Sequence, residues 1–191
     1  MSKHGIEHQP ELLHDENHLK LFMIGNYIYA ERKGKDSVAF VIYDEARMYS
    51  DKRAFCLINE YKPPIRTWIV SAYGGSIDTN KSLAEIVQQE VKEEAGMVVS
   101  LDGIQHVGKY FVSTQMNQFC HLFFVHIGAP YLVNRCEREP DSLESVSTPV
   151  WLTYDEVMAS ECWKARLIVS EVMINSIFKG AYHGTKLNKS S

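Results

Sequence analysis

Three glutamates fall within five consecutive residues, at Glu90, Glu93 and Glu94. The apolar residues around them recur at the spacing of an α-helix, so we predict a helix over residues 82–95. At about 100° of rotation per residue, Glu90 and Glu94 fall inside the apolar arc of this helix, and Glu93 borders it. Burial of a carboxylate is unfavourable unless a cation neutralises it. Three carboxylates within a turn and a half therefore indicate a site for a divalent metal ion.

The chemistry of carboxylate oxygens narrows the choice of metal. Hard oxygen ligands favour Mg²⁺ or Mn²⁺ over zinc, and Mg²⁺ is usually shared between one or two carboxylates and substrate phosphates. The acidic helix therefore points to metal-assisted phosphoryl or pyrophosphoryl transfer. Gly74 and Gly75 precede this helix and would let the backbone approach a ligand closely. The alternative interpretation is an ordinary surface helix with solvated glutamates, some of them paired with lysine.

These residues together resemble the Nudix box, G-x5-E-x7-R-E-U-x-E-E-x-G-U, in which U is an apolar residue. The positions that match the pattern are Gly75, Glu90, Val91, Glu93, Glu94, Gly96 and Met97. Two positions depart from it, because Lys81 stands in place of the first glutamate and Gln89 in place of the arginine. The resemblance implies a hydrolase that attacks a pyrophosphate with water in the presence of Mg²⁺ or Mn²⁺.

The resemblance extends over about residues 36–180. Residues 55–64, with the sequence FCLINEYKPP, resemble a segment of the branch that cleaves ADP-ribose and nucleoside-diphosphate sugars. The resemblance to this branch implies an α/β fold, a Nudix-type α/β/α sandwich around a mixed β-sheet. It also implies a small-molecule nucleoside-diphosphate derivative as the substrate, and a homodimer.

The resemblance assigns roles to individual residues. Glu90, Glu93 and Glu94 would hold the metal, with the carbonyl of Gly74 as a further ligand. Glu93 and Glu94 would also be catalytic. The substrate contacts would come from Lys62 and Gly75, although a solvated lysine is an equal alternative for Lys62. The base of this branch is often a late-loop glutamate, for which Glu144 is the first candidate and Glu139 the second; an ordinary loop acid is the alternative for each.

The two departures bear on mechanism. In the family, the box arginine and the first glutamate form an ion pair that helps to position the metal-binding glutamates, and Lys81 with the neutral Gln89 lacks that pair. Slow or altered hydrolysis is one expectation. A Nudix-fold binding or regulatory module with little turnover is a second hypothesis. A nucleoside-triphosphate or capped-RNA pyrophosphatase is a third.

Composition limits the remaining possibilities. The 191 residues have a formal net charge of −4, which gives no basic field for duplex nucleic acid, so we expect no nucleic-acid partner. Neither a membrane span nor a secretory signal is evident, so we expect no membrane contact and a cytoplasmic location. The four cysteines are widely spaced and are expected to be free thiols.

The expected organisation is a single domain over residues 21–180, with a polar N-terminal extension at residues 1–20 and a polar tail at residues 181–191. Residues 21–29 form one expected strand, and residues 128–149 a long loop. Thr153 and Glu156 have the spacing of a capping box that begins a helix.

Overall fold

The structure is a computed structural model that describes residues 9–34, 36–138 and 146–184, with side chains described as far as residue 175. Within these residues the strands are β1 (Glu11–Asp15), β2 (Leu19–Ile24), β3 (Tyr27–Arg32), β4 (Ser37–Tyr43), β5 (Phe55–Lys62), β6 (Thr67–Ser71), β7 (Tyr73–Ser76), β8 (Met97–Val99), β9 (Ile104–Ser113), β10 (Met116–His126), β11 (Leu132–Arg135) and β12 (Thr148–Leu152). The α-helices are α1 (Glu45–Ser50), α2 (Leu83–Ala95), α3 (Tyr154–Ala159) and α4 (Trp163–Gly184).

Ten of these strands form one mixed sheet. Its main path runs in the order β1-β2-β3-β10-β4-β5-β12, while β6, β7 and β9 pair with β5, β4 and β10. The central pair, β10 and β4, is parallel, whereas β5, β7 and β9 pair with their neighbours in antiparallel fashion. The two remaining strands, β8 and β11, form a separate antiparallel pair.

The alternation of side chains along β4 divides the core between the two faces of the sheet. Val38, Phe40 and Ile42 belong to the cluster that contains the buried residues of α2. Ala39 and Val41 belong to the cluster that contains α3 and α4. Successive side chains of a strand point to opposite faces, so a strand covered on both faces must be apolar throughout. The arrangement is an α/β/α sandwich around a mixed sheet, as expected from the sequence.

Both ends of α2 are fixed by local interactions. The Ser82 side chain accepts a hydrogen bond from the backbone N–H of Glu85, whose carboxylate accepts one in return from the backbone N–H of Ser82. This capping box satisfies donors that the first helical turn leaves open. At the other end Gly96 has φ of 66°, a left-handed conformation that glycine adopts without strain, and its N–H donates to Lys92 and Val91. Ser82 therefore sets the start of α2.

Two local predictions were wrong. The single strand expected over residues 21–29 is a hairpin, because Gly25 takes φ of 60° between β2 and β3. The long loop expected over residues 128–149 contains β11. The capping box of Thr153 and Glu156 is confirmed at the start of α3.

The N-terminal extension predicted for residues 1–20 contains β1, which pairs with β2. At the other end α4 continues to Gly184, inside the predicted tail, and residues 185–191 lie outside the described part of the chain. The division at residues 20 and 180 stays a prediction. In the part of the chain that the structure describes, no helix combines the length and the apolar character needed to cross a membrane.

Candidate active site

A cleft of about 760 Å³ opens beside α2, β7 and the first turn of α4. Glu90, Glu93 and Glu94 of α2 all line it, and so do Gly74 and Gly75 of β7. Because β7 pairs with β4 and α2 packs against the same face of the sheet, the strand and the helix meet along one wall. The residues assigned to the metal by resemblance are thus brought to a single cavity.

The three glutamates differ in burial. Glu94 is only 4% exposed, whereas Glu90 and Glu93 are half-buried. Glu94 shares its side of α2 with buried apolar residues, including Val87, Val91 and Ala95. This is the arc in which helical geometry placed an acidic side chain. A carboxylate in apolar surroundings requires a polar or cationic partner. Glu94 lines the cleft, so such a partner can reach it from there.

Gly75 brings the Glu90 carboxylate against the backbone of β7. A Cβ atom added at Gly75 would overlap that carboxylate, so any larger residue here would displace the Glu90 side chain. At Gly74 a Cβ atom would instead lie 2.8 Å from the backbone carbonyl of Val38 on the paired strand. The first glycine is thus required by strand pairing, and the second by the acidic side chain. The roles of Gly75 toward a substrate and of Gly74 toward a metal stay predictions.

Glu93 is held by a short chain of hydrogen bonds. The Lys81 ammonium donates to Oε1 of Gln89 over 2.6 Å, and Nε2 of Gln89 donates to Oε1 of Glu93 over 2.7 Å. Lys81 and Gln89 are the two positions that depart from the box pattern. They do not form an ion pair, but they are connected to each other and to one of the predicted metal ligands.

Arg138, which the sequence pattern did not single out, holds the C-terminal end of α2. Its guanidinium donates to the backbone carbonyl of Glu94, and also to the carbonyl and the hydroxyl of Ser147, over 2.8 and 3.0 Å. Arg138 therefore ties the end of α2 to the residue just before β12. An arginine in a loop rich in acidic residues gave no sequence signal for this role.

Cationic and aromatic side chains also line the cleft. Lys62 lines the cleft, with its ammonium 2.7 Å from the Glu60 carboxylate, so its predicted contact with a phosphate would compete with this ion pair. Trp163 and Lys164, at the start of α4, line the same cleft. The residue just before them, Cys162, is held in place because its thiol accepts a hydrogen bond from the backbone N–H of Ala72 over 3.3 Å.

Tyr73 is fully buried beside the cleft, and its hydroxyl is 3.4 Å from the thiol of Cys56. Burial raises the pKa of Tyr73 above its usual value, and burial raises the pKa of Cys56 to about 11. Both groups are therefore neutral near pH 7. The negative charge of this wall comes from the carboxylates.

The donor set suits a hard divalent cation, because the α2 wall offers the carboxylates of three glutamates. Within the described ranges, no three His, Cys, Asp or Glu side chains converge closely enough to hold an ion by themselves. Mg²⁺ commonly takes only one or two carboxylates and completes its shell with water and phosphate oxygens. The α2 wall therefore fits a cation that is shared with a phosphorylated ligand.

The candidate bases Glu144 and Glu139 lie outside the residues that the structure describes. Their assignment stays a prediction.

Comparison with known proteins supports the fold. No protein-family model matches the sequence, and a search of the curated proteins finds no match. Among solved structures, the chain is similar to a crystal structure of an ADP compounds hydrolase, with a TM-score of 0.59 and 15% sequence identity over 91% of this chain and 96% of that one. At this level of identity the similarity shows the fold alone. The Nudix-type α/β fold expected from the sequence is confirmed.

Proposed function

We propose that this protein is a Nudix-type hydrolase that cleaves the pyrophosphate bond of a nucleoside diphosphate linked to another moiety, of the ADP-ribose or nucleotide-sugar type. The observation that carries the proposal is the common cleft of Glu90, Glu93 and Glu94 with Gly74 and Gly75. The similarity in fold to an ADP compounds hydrolase supports a phosphorylated nucleoside as the substrate.

In the proposed reaction, Mg²⁺ or Mn²⁺ held by Glu90, Glu93, Glu94 and the Gly74 carbonyl would neutralise phosphate charge and activate water. The attacking water forms a new oxygen–phosphorus bond while the bridging oxygen–phosphorus bond breaks, which leaves two phosphate monoesters. A carboxylate of the site receives the water proton, with Glu93, Glu94 and Glu144 as the candidates. Lys62 and Gly75 are the proposed contacts to the diphosphate.

The decisive experiment measures product release across a panel with Mg²⁺ or Mn²⁺. The panel contains ADP-ribose, nucleotide sugars, nucleoside triphosphates and a capped RNA fragment. We expect turnover of a diphosphate-linked member by the wild type and a loss of at least about a hundredfold in Glu94→Gln. Glu11→Gln, the same chemical change on the exposed strand β1, is the matched control and should retain wild-type rates. Equal rates in wild type and Glu94→Gln would contradict the proposal.

A second candidate function is a binding or regulatory module of the same fold. It is favoured by one observation, namely that a Lys81–Gln89 hydrogen bond stands where the family pattern has an ion pair. Calorimetry with the same panel distinguishes the two functions. Nucleotide-sugar binding without cleavage would support the module, and robust turnover of any panel member would exclude it.

The proposal also includes a homodimer. The strands β1–β3 carry exposed apolar side chains, among them Leu12, Leu13, Tyr27 and Ile28, and β1 lies at the end of the sheet path. Such a surface is suited to association with a second copy. Light scattering should give twice the chain mass for the wild type and the chain mass for Leu12→Lys. A monomeric wild type at micromolar concentration would contradict this part.

A cytoplasmic location completes the proposal. All four cysteines are free, which accords with a reducing compartment.

A further inference from the structure

The chain Lys81–Gln89–Glu93 fixes the direction of an amide. An ammonium group has donors only, so Lys81 can bond only the carbonyl oxygen of Gln89. The Gln89 NH₂ group must then face the Glu93 carboxylate, as it does over 2.7 Å. Although the two ends of an amide are easily confused, here the chemistry of both neighbours demands the same orientation.

Gln89 and Glu93 are also one helical turn apart on α2, which is the spacing at which side chains of a helix meet. Lys81 lies just before the Ser82 cap, so its backbone is fixed relative to the first turn. The rigid start of α2 is therefore linked by two hydrogen bonds to a carboxylate in the cleft. Both bonds involve a charged group, and such bonds are stronger than those between neutral groups.

We propose that Lys81 and Gln89 are positioning residues which act as a coupled pair to hold Glu93 ready for a divalent cation, in place of a direct ion pair. This inference rests on the proposed function, because it assigns Glu93 to the metal. The pair acts through Glu93 and touches neither metal nor substrate. Each member of the pair is useful only while the other is present.

The coupling follows from donor and acceptor types. A glutamate at position 81 alone would attract the Gln89 NH₂ group, so the amide would turn its oxygen toward the Glu93 carboxylate. Two acceptors would then face each other, and Glu93 would be pushed away. An arginine at position 89 alone would place a guanidinium beside the Lys81 ammonium, and the like charges would separate. Both replacements together restore opposite partners, with guanidinium donors left for Glu93.

The test uses the full chain and measures Mn²⁺ affinity by electron paramagnetic resonance, together with kcat and KM on the best panel substrate. Lys81→Glu and Gln89→Arg should each weaken Mn²⁺ binding and lower kcat by about tenfold to a hundredfold, with little change in KM. The double variant Lys81→Glu/Gln89→Arg should return both quantities to within about threefold of the wild type. Melting temperatures establish that each variant is folded.

The sign of the Lys81→Glu effect separates positioning from general electrostatics. This substitution makes the surroundings of a cation site more negative by two charges, which by Coulomb attraction alone would tighten Mn²⁺ binding. Positioning predicts weaker binding. Lys92→Glu, the same charge reversal at an exposed position of α2, is the control and should not weaken it.

A spectroscopic measurement tests the hydrogen bonds between Lys81, Gln89 and Glu93 independently of catalysis. The side-chain amide protons of Gln89 should resonate downfield in ¹⁵N-labelled wild type and shift upfield in Lys81→Met. In this variant the amide oxygen loses the Lys81 donor that fixes the orientation of the amide. Unchanged Gln89 resonances, tighter Mn²⁺ binding in Lys81→Glu, or two single effects that simply add in the double variant would each overturn the inference. A wild type that binds Mn²⁺ but hydrolyses no panel member would contradict the proposed function alone. A wild type that binds no Mn²⁺ would contradict both.

Discussion

The two faces of the central sheet are covered by helices of very different character. On one face α2 packs Ile86, Val87 and Val91 against the strands, yet the same helix carries three carboxylates to a cleft. On the other face the buried members of α3 and α4 are all apolar. The strands between them are the same strands, which supply alternate residues to each side. The difference teaches that a helix can pack against a sheet and still carry acidic side chains to a cleft, whereas the buried side chains of α3 and α4 serve packing alone.

The largest expected effect lies on the apolar face. Ile168 of α4 is fully buried, and truncation to alanine leaves a cavity. Ile168→Ala should lower the free energy of unfolding by about 2–5 kcal/mol in urea titrations, while kcat of the folded protein stays unchanged. Arg166→Ala, an exposed position of the same helix, should change stability by less than about 0.5 kcal/mol. A loss of kcat in folded Ile168→Ala would show that the faces are not separable.

The next effect is on activity and not on stability, and it concerns the face of the sheet that α2 covers. Gly75→Ala would displace the Glu90 carboxylate, which is the end of a flexible side chain, so activity should fall about tenfold to a hundredfold with little loss of stability. Gly74→Ala would press on the Val38 backbone carbonyl instead, and should reduce the free energy of unfolding. Rate assays and urea titrations on both variants make the measurement. The comparison would fail if Gly75→Ala destabilised the protein more than Gly74→Ala.

A matched pair of helix caps sharpens the comparison further. Ser82 of α2 and Thr153 of α3 each form a capping box, on opposite faces of the sheet. Replacement of either by alanine should lower the free energy of unfolding by about 1 kcal/mol. Only Ser82→Ala should also weaken Mn²⁺ binding, because Lys81 precedes this cap and leads to Glu93. Equal Mn²⁺ affinities in the two variants would contradict the prediction.

The smallest effect concerns Asp36, which joins strand ends and belongs to neither helix-covered face. Burial favours a higher pKa for the Asp36 carboxyl, but hydrogen bonds from the Phe119 backbone and from Lys109, with the nearby Lys109 and His121 charges, lower the net pKa. A carboxyl with a lowered pKa stabilises the folded state at pH values above its ordinary pKa, which is about 3.9. This stabilisation is lost as the pH falls through the folded-state pKa.

Asp36→Asn should therefore lower the free energy of unfolding by up to about 1 kcal/mol at pH 7, with a smaller difference at pH 3 or below. Urea titrations at several pH values make the measurement. Lys109→Met removes only the ammonium that donates to Asp36 over 3.2 Å, so it serves as the control for the contribution of that hydrogen bond. A difference between wild type and Asp36→Asn that is constant with pH would contradict the assignment.

Much of the α2 region could be predicted from the sequence. The apolar spacing gave the helix, and the helical wheel placed Glu94 among buried residues. These are interactions between near neighbours, for which a few local rules suffice. The hairpin at Gly25 and the strand β11 were missed, because a short turn and an exposed pairing leave little periodic signal.

The sequence by itself therefore determined the acidic helix and the position of Glu94 among its buried residues. The tertiary structure decided that Gly75 meets Glu90, that Arg138 ties the end of α2 to Ser147, and that Gln89 links Lys81 to Glu93. Such contacts depend on strand pairing and on the choice of rotamers. Both are set by the packing of distant segments, so no local pattern of residues encodes them.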